Sequence, residues 1–161
     1  MGESGSGISV DMRKYAKIFG ESFIRKYMES LQRAQQLPDV RGKEIARDAL
    51  NFMSNADVPY YNDGKFDIIL AQVPNVPQLK QTTSGNWKAG LLWPGTPDME
   101  NPGGWISAFF NVRDLADKVV SRPGDLVVVV GKLRKREWAG METYNIRVMA
   151  AYFIDELEEL M

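Results

Sequence analysis

The chain has 161 residues, of which 20 are Lys or Arg, 21 are Asp or Glu, and none is His or Cys, so it is almost neutral. Without Cys there is no disulfide, thiol nucleophile or Cys-ligated zinc; without His there is no His-dependent triad, no common zinc ligand set and no ordinary acid–base group near neutral pH. The 44% hydrophobic and 25% charged content is that of a globular domain, and an enzyme would have to run on carboxylates, Lys, Tyr, Ser or Thr, so a binding protein with no catalytic residue, metal or cofactor is expected.

Met1 to Val10 is Gly/Ser-rich with no basic start and no apolar run, unlike a secretory signal. No stretch approaches the ~20 apolar residues that cross a bilayer, so no membrane partner is expected. Gly5-Ser-Gly7 follows no strand and reads as a flexible terminus rather than a phosphate loop. From Asp11, a suitable N-cap, Tyr15, Ile18, Phe19, Phe23, Ile24, Tyr27, Met28 and Leu31 recur at helical spacing, and Pro38 ends the pattern. A second helix is predicted from about Arg41 to Ser54, with Ile45, Ala46, Ala49, Leu50 and Met53 on its apolar face. Asn55 to Gly64 is turn chemistry, and an architectural boundary is placed near Gly64.

Beyond it the texture is β. Strands are predicted over Phe66–Val76, Trp87–Trp93, Trp105–Phe110, Leu126–Val130 and Tyr144–Phe153. The run Leu126-Val-Val-Val-Val130 should be buried on both faces. Ala139-Gly140 marks a hairpin turn between the fourth and fifth strands. An amphipathic stretch, Val112–Val120, separates the third and fourth. Five strands with one helix between the third and fourth is the layout of an OB-fold barrel. The expected class is α+β, mainly β: residues 1–64 a helical pair, 65–154 the barrel, and 155–161 an acidic tail. Residues 66–154 carry ten basic and eight acidic residues, whereas 155–161 carry four acids and no base. In the tail Ile154, Leu157 and Leu160 fall at helical spacing; a short amphipathic end helix and an acidic partner-recruiting tip are both open readings.

Lys132, Arg134, Lys135 and Arg136 place four positive charges in five residues. Such a run is either a solvated hairpin tip or a phosphate-contacting loop, since clustered cations release counterions from a polyanion. Asp125, after Gly124 in a turn, reads as structural, and Asp67, Asp114 and Asp117 show no metal-loop spacing.

Trp105-Ile-Ser-Ala-Phe-Phe-Asn-Val-Arg-Asp-Leu-Ala-Asp-Lys-Val-Val120, Arg122-Pro-Gly-Asp-Leu-Val-Val-Val-Val-Gly131 and Arg136-Glu-Trp-Ala-Gly140 resemble the single-stranded DNA-binding OB domains of replication protein A, above all the archaeal ones. The resemblance covers about Gly104 to Tyr152, and the helices before Gly64 are not part of that family's core pattern. It implies stacking aromatics at Phe110, which precedes Asn111 at the end of the third strand, and at Tyr144 on the fifth. Trp138 at the hairpin tip and Trp87 and Trp93 near the second strand are further candidates. Phe109 is the alternative to Phe110, because alternation lets only one of the two face a ligand. The alternative for each of these aromatics is a place in the core. Lys132, Arg134, Lys135, Arg136, Lys88, Arg113 and Arg147 are candidate phosphate contacts that could equally be plain surface.

The resemblance implies a non-catalytic single-stranded DNA-binding protein of replication, repair or recombination, with DNA favoured over RNA. Its place would be the nucleoid-bearing cytoplasm of a prokaryote or the nucleus of a eukaryote. Two other readings stand: an OB-fold assembly subunit that binds protein, and an RNA-binding OB module. The N-terminal helices are expected to pack on the barrel or to serve self-association or a protein partner.

Overall fold

The computed structural model describes residues 39–158. The predicted helix from Asp11, its apolar face from Tyr15 to Leu31, the Gly/Ser-rich terminus and Leu160 lie outside the described residues. Among the described residues one helix, α1 (Asp39–Ala56), precedes the strands, and its buried face is Gly42, Ile45, Ala46, Ala49, Leu50 and Met53. The strands are β1 (Tyr60–Asn62), β2 (Asp67–Gln72), β3 (Leu79–Gln81), β4 (Trp87–Leu92), β5 (Trp105–Phe110), β6 (Leu126–Trp138) and β7 (Met141–Phe153). Helix α2 (Arg113–Val120) lies between β5 and β6, and α3 (Ile154–Glu158) follows β7. No described helix is long and apolar enough to cross a membrane.

All seven strands share one sheet, in the order β1-β2-β6-β7-β5-β4-β3. The β5–β7 pair is parallel and the others are antiparallel. Strand β2 also meets β4 through Gln72 and Leu92, so pairing runs in a closed circuit through β2, β6, β7, β5 and β4. These five are the predicted strands. The extra pair, β1 and β3, are three residues each, too short to show a period, and exist as partners of β2 and β4.

The fourth strand does not stop at Val130. Strand β6 continues, paired with β7, from Gly131 to Trp138, so the basic run Lys132–Arg136 is extended strand rather than a loop. The turn beyond it is only two residues. Ala139 and Gly140 take φ of 52° and 77°, the left-handed pair that a type I′ turn demands and that matches the twist of its flanking strands.

Two apolar clusters hold the sheet. The inner one gathers Ile69, Leu91, Trp93, Ile106, Phe110, Val127, Val129, Ile146 and Val148, closed by Ala116 and Val119 of α2. The second lies on the outer face, where Ile68, Val128, Val130, Ala150 and Tyr152 meet the buried face of α1 and Leu157 of α3. Val127 to Val130 are thus buried on both faces. The Tyr152 hydroxyl donates to the Asp39 carbonyl (3.3 Å), pinning the start of α1 to β7.

Register shifts between Val130 and Gly131: Val130 faces Ala150, but Gly131 faces Val148. A Cβ at Gly131 would overlap the Arg147 carbonyl, so this crossing admits only glycine. On one face of β6, therefore, Val128 and Val130 lie under α1, and the later positions Lys132, Arg134 and Arg136 emerge into the open.

Candidate nucleic-acid interface

Alternation along β5 decides which side chains leave the core. Ile106, Ala108 and Phe110 are buried, whereas Trp105, Ser107 and Phe109 face outward. Phe109 pairs with Lys88 on β4 and with Arg147 on β7, and Arg147 pairs in turn with Lys132 on β6. One cross-strand row therefore reads Lys88, Phe109, Arg147, Lys132. The next row holds Gly90, Ser107, Asn145 and Arg134. The Lys88 ammonium lies 5.8 Å from the Phe109 ring centroid.

These rows floor a groove of about 330 Å³ lined by Phe109, Lys132, Arg134, Arg136, Asn145 and Arg147. Ser84 and Asn86 of the β3–β4 turn and Asn111 after β5 complete its wall, and no carboxylate lines it. Several cations elsewhere are engaged: Arg41 with Glu44, Lys43 with Asp39, Lys118 with Glu156, and Arg122 with Asp125 and Asp155. Among the described residues Arg134, Arg136 and Arg147 have no ion-pair partner. A concave surface with positive charge and one half-buried, outward-facing aromatic ring suits a polyanion whose bases are unstacked.

Several predicted site residues lie elsewhere. Phe110 is fully buried, at 0% exposure, in the inner cluster. Its position opposite Val148, a core residue, turns it inward and turns Phe109 out. Tyr144 is 4% exposed and packs edge-on against Trp93, with ring centroids 5.4 Å apart. Trp93 is buried too, and its indole N–H donates to the Pro59 carbonyl (2.9 Å), so this ring is a core pillar with its polar end satisfied. Trp87 is half-buried against the inner cluster and carries the Arg113 guanidinium 4.8 Å from its ring, away from the groove lining. Arg113 is also tied to Asp117 (3.5 Å). Lys135, one residue out of step with Arg134 and Arg136, points the other way and pairs with Glu142 (2.9 Å). The backbone of Trp138 closes the hairpin opposite Met141.

Outside the groove lining, opposite Gly131 and near Lys132, Asp67 acts as a clamp. One carboxylate oxygen accepts from the Tyr60 hydroxyl (2.7 Å) and from Asn62 (2.9 Å); the other accepts from the Leu133 amide (2.8 Å). Partial burial pushes the Asp67 carboxyl up, but the Leu133 amide, Tyr60, Asn62 and the nearby Lys132 together hold it below its ordinary value. Burial and the same carboxylate push the Tyr60 phenol up to about 12. The Lys132 ammonium donates to the Lys65 carbonyl and lies 5.2 Å from the Phe66 ring centroid, so the first cation of β6 is braced where β2 begins.

No protein-family model matches the chain, and no curated protein matches it. Among solved structures it is similar to the small single-stranded DNA-binding protein of Streptomyces coelicolor: 18% identity, TM-score 0.37, over 57% of this chain and 95% of that one. It is also similar to the Plasmodium falciparum single-stranded DNA-binding protein in complex with single-stranded DNA: 17% identity, TM-score 0.40, over 59% of this chain and 98% of that one. The single-stranded DNA-binding protein of lactococcal phage p2 is similar at 22% identity, TM-score 0.37, over 56% of this chain and 98% of that one.

Proposed function

We propose that β2, β4, β5, β6 and β7 form an OB-fold barrel that binds single-stranded DNA without catalysis. A base stacks on Phe109, and the phosphates follow Arg147, Arg134 and Arg136, with Lys132 and Lys88 at the ends of the first row. The observation that carries this reading is the outward Phe109 set among unpaired cations in a groove lined by no acid. OB folds bind oligonucleotides on the face of their second and third strands, between the loop joining strands one and two and the loop joining strands four and five. Here those features are β4 and β5, the β3–β4 turn and the β6–β7 hairpin, and the groove lies among them.

Single-stranded DNA is also the ligand named for the similar proteins above, but the proposal rests on the groove itself. The two-residue turn that closes Glu137-Trp138-Ala139-Gly140 supports a domain of the replication protein A type. A role in replication, repair or recombination follows from that reading.

The test is a titration with fluorescently labelled oligo-dT from about 50 mM to about 200 mM salt, with oligo-rU of the same length in parallel. Affinity that falls steeply with salt, and is higher for oligo-dT than for oligo-rU, supports the reading. Absence of binding, or affinity insensitive to salt, defeats it.

A further inference from the structure

Trp105 stands on the same outward face of β5 as Phe109, about 13 Å away at ~3.3 Å per strand residue. Its surroundings are opposite in character. The ring is 53% exposed and stands between two hollows. On one side is a cavity of about 480 Å³ whose lining includes Pro102, Met141, Glu100 and Glu142. On the other is a hollow formed with Pro74, Val76 and Gly90. Met141 and Val76 are themselves 64% and 79% exposed. Large apolar side chains left in water around concave surface mark interaction sites, and an exposed Trp between hollows has the form of a binding hot spot.

Charge identifies the occupant. Neither hollow is lined by a Lys or Arg, whereas Glu100 and Glu142 stand at the larger one. Glu142 is neutralised by Lys135, and among the described residues Glu100 has no ion-pair partner. A phosphate chain reaching Trp105 would meet this uncompensated carboxylate, but a Lys or Arg side chain would be drawn to it.

We infer that Trp105 anchors a docking surface for a partner protein segment that is apolar and positively charged. Aliphatic or aromatic side chains of the segment enter the two hollows, and one of its cations meets Glu100. The surface is separate from the cationic groove, so the partner and the groove's ligand bind at the same time, and the inference does not depend on what the groove binds.

Nitrogen-15 NMR of the whole protein tests it through the indole N–H signal of Trp105, assigned with Trp105→Phe. The probes are an eight-residue peptide alternating Lys and Leu, the same peptide with Glu replacing Lys, and oligo-dT. The Lys/Leu peptide should shift the Trp105 indole, and neither the Glu/Leu peptide nor oligo-dT, each added alone, should do so. Read on the backbone amide signals of Met141 and Thr143, which line the same hollow and are present in every variant, Trp105→Ala should weaken the peptide about 30-fold or more, Glu100→Gln about 2- to 5-fold, and Phe109→Ala not at all. The inference is overturned if the Lys/Leu peptide does not move this signal, if the Glu/Leu peptide binds as well, or if Trp105→Ala weakens oligo-dT as much as Phe109→Ala does. The last outcome would make Trp105 part of the DNA path.

Discussion

Phe109 and Arg147 lie directly opposite each other on the parallel strands β5 and β7, both turned outward, while their neighbours Phe110 and Val148 form the next pair and are both buried. One step along the strands separates the candidate ligand face from the core. The two phenylalanines should therefore fail in opposite ways. Phe110→Ala should cost ~3–5 kcal/mol of folding stability, because it empties a fully buried aromatic site. Phe109→Ala should leave stability nearly unchanged. Urea unfolding of the two variants decides between the faces, and a Phe109→Ala protein destabilised as much as Phe110→Ala would return Phe109 to the core.

The cations should separate by strand parity as well. Replacing Arg134, Arg136 and Arg147 with Ala should flatten the dependence of log affinity on log salt by up to ~0.7 for each phosphate that is no longer neutralised. Lys135→Ala should change that slope little, because Lys135 faces away from the groove and is held by Glu142. A slope that responds to Lys135 as strongly as to Arg134 would contradict the groove as drawn.

Much of this fold is legible in the residues, and the illegible parts have physical causes. Val127–Val130 announces a strand buried on both faces because no polar side chain interrupts it, and Gly140 announces the turn because glycine accepts the left-handed conformation at no steric cost. The helical period from Ile45 to Met53 is equally plain. Alternation in β5 divides Trp105, Ser107 and Phe109 from Ile106, Ala108 and Phe110, but not which set is interior. That choice is made by β7, whose Val148 and Ile146 face the core and whose Arg147 and Asn145 do not. An outward Phe110 would have turned Trp105 inward with Phe109, which hides the exposed ring of Trp105. The burial of Tyr144 and Trp93 is hidden for another reason: a polar-tipped aromatic on a strand reads the same in sequence whether it is core or an exposed stacker.

The Tyr60–Asp67 pair should give stability a pH dependence at both ends. Asp67 is lowered from an ordinary 3.8, so its contribution is complete above that value and is lost as pH falls below it, through the lower folded-state value. Tyr60 is raised from 10.0 to about 12, so its contribution is complete below pH 10.0 and is lost as pH climbs through about 12. Asp67→Asn should bring the Tyr60 phenol down towards its ordinary value, with burial still holding it above, and should remove the acid-side loss that Asp67 causes. Ultraviolet titration of the phenolate in both proteins measures this; an unchanged Tyr60 midpoint would show that the carboxylate does not act on it.

The hairpin turn carries a residue at a disadvantage. Ala139 sits at φ 52°, where a Cβ crowds the backbone, and Asn tolerates that region better. Ala139→Asn should stabilise the protein by up to about 1 kcal/mol in urea unfolding. Destabilisation would mean that the turn is not the one described.

Removing α1 should expose the apolar face made by Ile68, Val128, Val130 and Ala150, which Ile45, Leu50 and Met53 cover. A chain starting near Asp63 should unfold at lower urea than the whole protein. Leu50→Ala or Met53→Ala in the whole protein should each cost ~2–5 kcal/mol. If these single substitutions cost nothing, α1 is not part of the core.

The central claim is that nucleic acid lies on Phe109, and the most direct measurement is the affinity of Phe109→Ala for labelled oligo-dT by fluorescence anisotropy, at one fixed salt concentration and beside the unaltered protein. Loss of one stacked base, ~1–3 kcal/mol, predicts binding about 5- to 150-fold weaker in a variant that is folded as before. Unchanged affinity in that folded variant would contradict the account.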